Sequence, residues 1–132
     1  MKMKIILDTN IIISAALSPD GNPAKIIDLI TSNEDYTIYY NDEIIAEYNE
    51  VLSRPHFYIS IDNQKRIINE IINTGINYKS AKSTMPMKDE DDRIFYDTAL
   101  ETGALLITGN KKHFPNDLFI LTPSEFLSKQ LN

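Results

Sequence analysis

The segment Ile5-Ile6-Leu7-Asp8-Thr9-Asn10 decides the fold prediction, because an apolar run meets a carboxylate there with no turn between them. The apolar run over residues 3–7 predicts a short β-strand. Residues 11–17 then predict a helix, which the threonine or the asparagine before it can cap. The segment therefore places Asp8 at the carboxyl end of the first predicted strand, where it is either a helix cap or part of a site.

A second apolar run covers residues 104–108 and is followed directly by Gly109 and Asn110. Its nearly continuous apolar character is typical of a strand in a parallel sheet that is covered on both faces. Ligands of open parallel sheets bind beyond the carboxyl ends of the strands. If this strand and the first one are neighbours, Asp8 and Asn110 face one crevice.

Predicted strands alternate with predicted helices along the chain, which indicates an α/β fold with a mainly parallel sheet. Glycine, proline and short polar residues separate the segments. The other predicted strands cover residues 36–40, 76–78 and 118–121, and the other predicted helices cover residues 24–31, 42–53, 62–74, 89–102 and 123–131.

Composition narrows the kinds of site that the chain can build. Its 132 residues fit one domain, expected to span residues 1–132, and 42% of them are hydrophobic. The chain has no cysteine and only two histidines, His56 and His113, so a thiolate or histidine-rich zinc site is not expected. A bound metal would have oxygen ligands, which favours magnesium, manganese or calcium.

The formal net charge of −6 argues against a protein that holds nucleic acid by bulk positive charge. A cation bound among acidic residues reverses the local sign, so a nucleic-acid substrate stays possible. The apolar runs are too short to span a membrane, and the start of the chain lacks the apolar core of a signal peptide. We therefore expect a cytoplasmic protein.

Two further acidic positions are candidate partners of Asp8. In the helix over residues 42–53, Glu47 lies at the edge of the apolar stripe, whereas Glu43 and Glu50 point to solvent. In the helix over residues 89–102, helical spacing places two acids toward the apolar side and three away from it. The inward pair is Asp91 and Asp92, and the outward acids are Asp89, Glu90 and Asp97. Carboxylates that converge on one point need a cation between them.

Four motifs in this order resemble the PIN-domain nucleases, and most closely the VapC-like toxins of bacterial toxin–antitoxin pairs. They are Ile5-Ile6-Leu7-Asp8-Thr9-Asn10, Glu43-Ile44-Ile45-Ala46-Glu47-Tyr48, Asp91-Asp92-Arg93-Ile94-Phe95 and Leu106-Ile107-Thr108-Gly109-Asn110-Lys111. The resemblance implies a three-layer α/β/α sandwich. It also implies a Mg²⁺- or Mn²⁺-dependent endoribonuclease that forms a homodimer and is inhibited by a small antitoxin protein.

The resemblance identifies Asp8, Glu47 and Asp92 as the acidic triad that binds metal and catalyses hydrolysis. It places Thr9, Asn10 and Thr108 around the site. Asp91 stays a further candidate ligand on the ground of its helical spacing. Many members carry an aspartate where this chain has Asn110. The missing charge weakens a second metal site, so one ion is expected.

The mechanistic hypothesis is that Asp8 and Asp92 bind the metal while Glu47 holds or activates the water. Lys111 and Lys112 follow the strand end and either contact the RNA backbone or form a solvated turn. Two alternatives remain open. One is a phosphatase or phosphotransferase with Asp8 as nucleophile, and the other is a decayed module that only binds nucleic acid or protein.

The sequence leaves two roles open for five aromatic residues, which serve either an interface or the core. These residues are Tyr39, Tyr40, Phe57, Tyr58 and Phe126.

Overall fold

The computed structural model describes residues 2–130, which form five parallel strands and six α-helices. The strands are β1 (Met3–Leu7), β2 (Tyr36–Tyr40), β3 (Ile76–Asn77), β4 (Leu105–Ile107) and β5 (Ile120–Leu121). The helices are α1 (Thr9–Leu17), α2 (Asn22–Ser32), α3 (Asp42–Leu52), α4 (Ile61–Thr74), α5 (Arg93–Thr102) and α6 (Pro123–Gln130). The last predicted helix extended to Leu131, which lies outside the described residues.

The sheet order is β3-β2-β1-β4-β5, so β1 lies at the centre. Strands β2 and β3 lie on one side of β1, and β4 and β5 lie on the other. The connection from β3 to β4 therefore crosses the sheet. Right-handed crossovers therefore place α1 to α4 on one face and α5 on the opposite face. Helix α5 packs on β1 and β4, while α2 and α4 contact β2. The predicted three-layer arrangement is confirmed, and the sheet is parallel throughout.

The two strands that the sequence singled out are direct neighbours. Leu7 of β1 is in register with Ile107 of β4, and both are fully buried. The backbone N–H of Asp8 continues the ladder by donating to the carbonyl of Ile107 at 2.9 Å. The chain leaves β1 and β4 toward opposite edges of the sheet, so their carboxyl ends form the crevice where ligands of such sheets bind.

Short polar side chains cap the N-termini of three helices. Asp8 accepts a hydrogen bond from the backbone of Thr9, Asn41 caps α3 and Ser60 caps α4. The helix predicted over residues 89–102 is divided, because a 3₁₀ turn at Glu90–Asp92 precedes α5. No helix within residues 2–130 is long and apolar enough to cross a membrane.

The five aromatic residues that fit either an interface or the core differ in their burial. Phe126 and Tyr40 are buried in the core, and Tyr39 and Phe57 are partly buried against it. Tyr58 is 92% exposed, and its φ of 55° places it in the left-handed region that non-glycine residues seldom adopt. Only Tyr58 of this set stands free of the core.

Candidate functional site

Asp8 serves both as a helix cap and as the centre of a hydrogen-bonded group. Its Oδ1 accepts from the backbone N–H of Thr9 at 2.8 Å. Its Oδ2 accepts from the hydroxyl of Thr108 at 2.7 Å and from the amide of Asn10 at 3.1 Å. The residue is 6% exposed. These bonds hold the carboxylate rigidly at the carboxyl ends of β1 and β4.

The turn after β4 is tied to the turn after β1. The side-chain oxygen of Asn10 accepts from the backbone of Gly109 at 3.0 Å, and the hydroxyl of Thr108 accepts from the backbone of Asn110 at 3.0 Å. The structure therefore brings Asn10 and Thr108 to Asp8, as expected. Thr9 contributes its backbone, while its buried hydroxyl has no hydrogen-bond partner within the described residues.

The helix that carries Glu47 is anchored to the end of β1, and the charges of Asp91 and Asp8 both act on the Glu47 carboxylate. The hydroxyl of the fully buried Tyr48 donates to the carbonyl of Leu7, and the Tyr48 ring stacks on Phe95 of α5 at 6.1 Å. These contacts fix the turn of α3 that carries Glu47. Glu47 is partly buried, as its position at the edge of the apolar stripe predicts.

Asp92 is the inward-facing acid of the segment 89–92. The side chain of Asp89 accepts from the backbone of Asp91 at 3.0 Å and so starts the 3₁₀ turn. The side chain of Asp92 is 15% exposed, and its Oδ2 is buried without a hydrogen-bond partner in the described part of the chain. Asp91 was expected to face inward as well, but it is exposed. The 3₁₀ turn changes the angular spacing that α-helical projection assumes, which turns Asp91 outward.

The prediction for Asp97 was also wrong. Helical spacing predicts that it faces away from the core, but Asp97 is only 4% exposed. The loop that precedes α5 crosses the outer side of the helix. The backbone of Ser83 donates to Asp97 at 2.8 Å, and Arg93 donates to the carbonyls of Ser83 and Met85 at 2.9 and 2.7 Å. This loop covers the side of α5 that helical spacing alone assigns to solvent.

Three acids are here called the carboxylate cluster (Asp8, Glu47 and Asp92). Burial is the largest cause that raises the pKa of all three carboxyls. The charge of Asp8 is the next cause at Asp92, whereas at Glu47 the charge of Asp91 comes next and that of Asp8 adds a smaller rise. The pKa of Asp92 rises to about 6. Hydrogen bonds from Thr108 and the Thr9 backbone oppose the rise at Asp8. Mutual destabilisation of ionised carboxylates is the condition that a divalent cation relieves.

The donor set fits a hard cation. Mg²⁺ is held by one or two carboxylates and keeps several of its waters. The Oδ2 of Asp92, which has no hydrogen-bond partner among the described residues and lies 3.7 Å from the Nδ1 of His113, is a candidate oxygen ligand. No three histidine, aspartate or glutamate side chains within residues 2–130 are placed to hold one ion together as they stand. The fit is therefore to an ion with few protein ligands and a mostly aqueous shell.

The two lysines after β4 differ in whether they pair with an acidic residue. The ammonium of Lys111 donates to both oxygens of Glu125, at 3.1 and 3.3 Å, whereas Lys112 is exposed. The side chain of Asn110 turns to the ring of His113, with 3.0 Å between its Nδ2 and the Nε2 of His113.

Sequence reasoning missed the positions of His113 and Arg93. His113 closes the 3₁₀ turn Lys111–His113, and its Nδ1 lies 3.7 Å from the Oδ2 of Asp92. The signal was its place three residues after Asn110, one short turn beyond the strand. Arg93, next to Asp92, is 8% exposed and pairs with both oxygens of Glu90 at 2.8 Å.

Sequence comparison identifies a family profile and a related protein. The PIN domain profile matches residues 4–112, which contain all three members of the carboxylate cluster. The uncharacterized protein MJ1680 from Methanocaldococcus jannaschii is 33% identical over 120 residues, which cover 84% of this chain and 73% of that protein.

Two solved structures share the fold. VapBC2 from Rickettsia felis, bound to a DNA fragment from its promoter, is similar with a TM-score of 0.62 and 18% identity, over 91% of this chain and 97% of that one. PAE2754 from Pyrobaculum aerophilum is similar with a TM-score of 0.63 and 13% identity, over 99% of this chain and 98% of that one. Because the family profile covers most of its length, the chain belongs to the PIN domain family.

Proposed function

We propose that this protein is a metal-dependent endoribonuclease that hydrolyses RNA phosphodiester bonds, with Asp8, Glu47 and Asp92 as its catalytic acids. The observation that carries the proposal is the buried Oδ2 of Asp92, which has no hydrogen-bond partner among the described residues and feels the charge of Asp8. A buried carboxylate oxygen in that state is costly unless a cation meets it, and the His113 ring 3.7 Å away is a cation only when it is protonated. The family and the place of the cluster at the sheet's switch point support a nuclease site.

Asp8 and Asp92 would hold one Mg²⁺ or Mn²⁺ ion. Such an ion, when bound, polarises the phosphate and lowers the pKa of a water. A second ion is not proposed, because Asn110 supplies an amide where a further carboxylate would be needed. Thr108 and Asn10 keep the carboxylate of Asp8 in one orientation through their hydrogen bonds.

Glu47 orients the attacking water and accepts its proton. The water oxygen forms a bond to phosphorus, the bond from phosphorus to one ribose oxygen breaks, and that oxygen takes a proton from solvent. Burial raises the pKa of Glu47 toward the range in which a general base works best near neutral pH. Lys112 is exposed and free to contact the RNA backbone, while Lys111 must first leave Glu125.

The nucleophile alternative is less well supported. Phosphatases and phosphotransferases with an aspartate nucleophile usually carry a second acid two residues later, and this chain has Asn10 there. We also propose that the protein is the toxin of a type II pair, a homodimer inhibited by a small antitoxin. The fold shared with VapBC2 supports this, and the exposed apolar side chains of Tyr58 and Leu118 are available for contacts.

The nuclease proposal is tested by incubating purified protein with structured RNA in the presence of Mn²⁺, Mg²⁺ or EDTA. We expect cleavage by wild type with either metal, none in EDTA, and a loss of at least about a hundredfold in Asp8→Ala, Asp92→Asn and Glu47→Gln. Glu43→Gln is the matched control, because Glu43 lies on the same helix and is exposed. Equal cleavage by wild type and Asp8→Ala would overturn the assignment.

The toxin proposal has a separate test. The adjacent reading frame should encode a small DNA-binding protein that copurifies with this chain and suppresses its cleavage of RNA. Light scattering of the isolated chain should give the mass of a dimer. A monomer that no neighbouring gene product inhibits would leave only the nuclease proposal.

A further inference from the structure

A pocket of about 470 Å³ opens at the carboxyl edge of the sheet, between the start of α3 and the segment that follows β3. Its volume lies within the range of about 300–1,000 Å³ that is typical of small-molecule sites. The lining includes Arg93, the neighbour of Asp92, and Asp42 at the start of α3. Glu47 lies about 7.5 Å further along the axis of that helix. The pocket is therefore bordered by two of the elements that carry the carboxylate cluster.

Asp97 lines this pocket and is 4% exposed. Its Oδ2 accepts from the backbone N–H of Ser83 at 2.8 Å, whereas its Oδ1 is buried with no hydrogen-bond partner in the described part of the chain. The pKa of Arg93 is raised first by its bond to Glu90 and, to a smaller extent, by the charge of Asp97. The guanidinium therefore balances that charge, but its hydrogen bonds go elsewhere, to Ser83, Met85 and Glu90. What Oδ1 lacks is a hydrogen-bond donor, which a neutral N–H group can supply.

Two lysines of the same lining, Lys79 and Lys82, form no hydrogen bond or ion pair with any other residue between 2 and 130. The charge of Lys82 helps to lower the pKa of Glu90, after the larger effect of the bond from Arg93. The lining as a whole contains more carboxylates than cationic side chains, which disfavours an anion such as phosphate. It suits a neutral ligand that has acceptors for the lysines and a donor for Asp97.

We propose that this pocket binds a guanine base of the RNA beside the bond that is cleaved, with Lys79 and Lys82 at the acceptor edge of the base and Asp97 at its donor edge. This inference deepens the proposed function and rests on it. Bases of single-stranded RNA are recognised by hydrogen bonds on their Watson–Crick and Hoogsteen edges. Guanine presents O6 and N7 side by side as acceptors, and it presents N1–H and the 2-amino group as donors on the adjoining edge.

The other three bases fit this lining less well. Uracil reproduces one acceptor and one donor with O4 and N3–H, but it offers no adjacent acceptor to the second lysine. Adenine and cytosine have an amino group where guanine has O6, so they turn a donor toward the ammonium groups. Ile94 and Ala81 supply apolar surface for the flat ring. We therefore expect the pocket to prefer guanine, then uracil, over adenine and cytosine.

The first experiment is nuclear magnetic resonance of the ¹⁵N-labelled full chain in EDTA, titrated with guanosine, uridine, adenosine or cytidine. Because nucleosides lack phosphate and EDTA removes metal, this readout does not depend on cleavage. We expect guanosine to shift the amides of residues 77–82 and 93–97, and to bind at least about tenfold more tightly than adenosine or cytidine. Inosine lacks the 2-amino group and 7-deazaguanosine lacks N7, so each should bind about two- to tenfold more weakly than guanosine.

Two substitutions assign these effects to the lining. Lys82→Met removes the ammonium and keeps the apolar stem, so it should reduce the preference for guanosine over 7-deazaguanosine. Asp97→Asn should reduce the preference for guanosine over inosine, with circular dichroism to check its fold. If Asp97→Asn does not fold, the comparison of inosine with guanosine in wild type still tests the donor edge. Lys65→Met is the matched control, because Lys65 is an exposed lysine of α4 that does not line the pocket.

The second experiment is cleavage of a random-sequence RNA pool in Mn²⁺, followed by sequencing of the new ends. Guanine should be the favoured base at one fixed position beside the cut, and Lys82→Met should lose this bias while Lys65→Met keeps it. Cleavage without base preference, or equal binding of the four nucleosides, overturns the inference and leaves the proposed nuclease intact. Guanosine binding at these amides in a chain that cleaves no RNA supports the guanine pocket and refutes the nuclease.

Discussion

Thr108 supplies the shortest side-chain hydrogen bond to Asp8, at 2.7 Å, and its own side chain is fully buried. Thr108→Val keeps the shape and removes the hydroxyl, which leaves Asp8 Oδ2 with Asn10 alone and Asn110 without its acceptor. Because hydrogen bonds to charged groups contribute about 1.5–3 kcal/mol, we expect the free energy of unfolding to fall by about that amount in urea titrations.

Thr37→Val is the control for this substitution. Thr37 is a buried threonine of β2 with no side-chain hydrogen bond to the other described residues. Its substitution should change the free energy of unfolding by less than about 0.5 kcal/mol. If both variants lose the same stability, the bond from Thr108 does not support Asp8.

Asp92 makes the stability of the metal-free protein depend on pH. Its pKa is about 6 in the folded chain against 3.8 for an ordinary aspartate. A carboxyl whose pKa is raised by folding favours the folded state while it is protonated, so this contribution is present below about pH 4 and is lost as the pH rises through 6. In EDTA, we expect the Tm of wild type to fall relative to Asp92→Asn over that interval.

Added Mg²⁺ or Mn²⁺ should reverse this order at pH 7, because the cation favours the ionised form of Asp92 that wild type has and Asp92→Asn lacks. Parallel Tm curves for the two proteins, with and without metal, would show that Asp92 titrates normally and binds no ion.

Arg93 makes the largest set of side-chain hydrogen bonds to the segment between β3 and α5, and Asp97 accepts a further bond from Ser83. Arg93 donates to the carbonyls of Ser83 and Met85 and to both oxygens of Glu90. Arg93→Lys keeps the charge but cannot form this fork of bonds. We expect a loss of about 1–3 kcal/mol in the free energy of unfolding and faster amide exchange over residues 79–92.

Arg54→Lys is the matched substitution, because Arg54 pairs with Glu50 on an exposed helix surface at 2.9 Å. Exposed pairs contribute little, so its effect should stay below about 0.5 kcal/mol with unchanged exchange over residues 79–92. Equal effects in the two variants would mean that Arg93 does not hold the loop.

The elements show what sequence could predict. The apolar runs before Asp8 and Asn110 identified β1 and β4, because strands buried on both faces are apolar throughout, and their pairing placed Asp8 in the crevice. Helical spacing put Glu47 at the edge of the apolar stripe of α3, and the structure has it partly buried there. The 3₁₀ turn before α5 and the loop across it are tertiary features that periodicity does not encode, so Asp97 was misplaced. The contact of His113 with Asp92 likewise depends on a turn that closes only in the folded chain.

The negative charge of the protein limits how the proposed nuclease can bind RNA. The net charge is −6, and each of the three arginines is within 4 Å of a glutamate of its own chain. Lys111, next to the proposed site, is also paired, with Glu125. RNA binding should therefore release few counterions and depend mainly on the divalent ion.

This predicts a shallow salt dependence for RNA binding by the inactive variant Glu47→Gln in Mg²⁺. One to three phosphate contacts to single-stranded RNA give a slope of log K against log salt between about −0.7 and −2. Glu125→Gln, added to the same variant, frees Lys111 from its partner and should steepen the slope by about 0.7. A slope steeper than about −4, or binding that survives EDTA, would mean that a basic surface holds the RNA. Such a surface would have to consist mainly of lysines, which a second copy or a partner protein could bring together, because Arg93 is buried and the chain has only two other arginines.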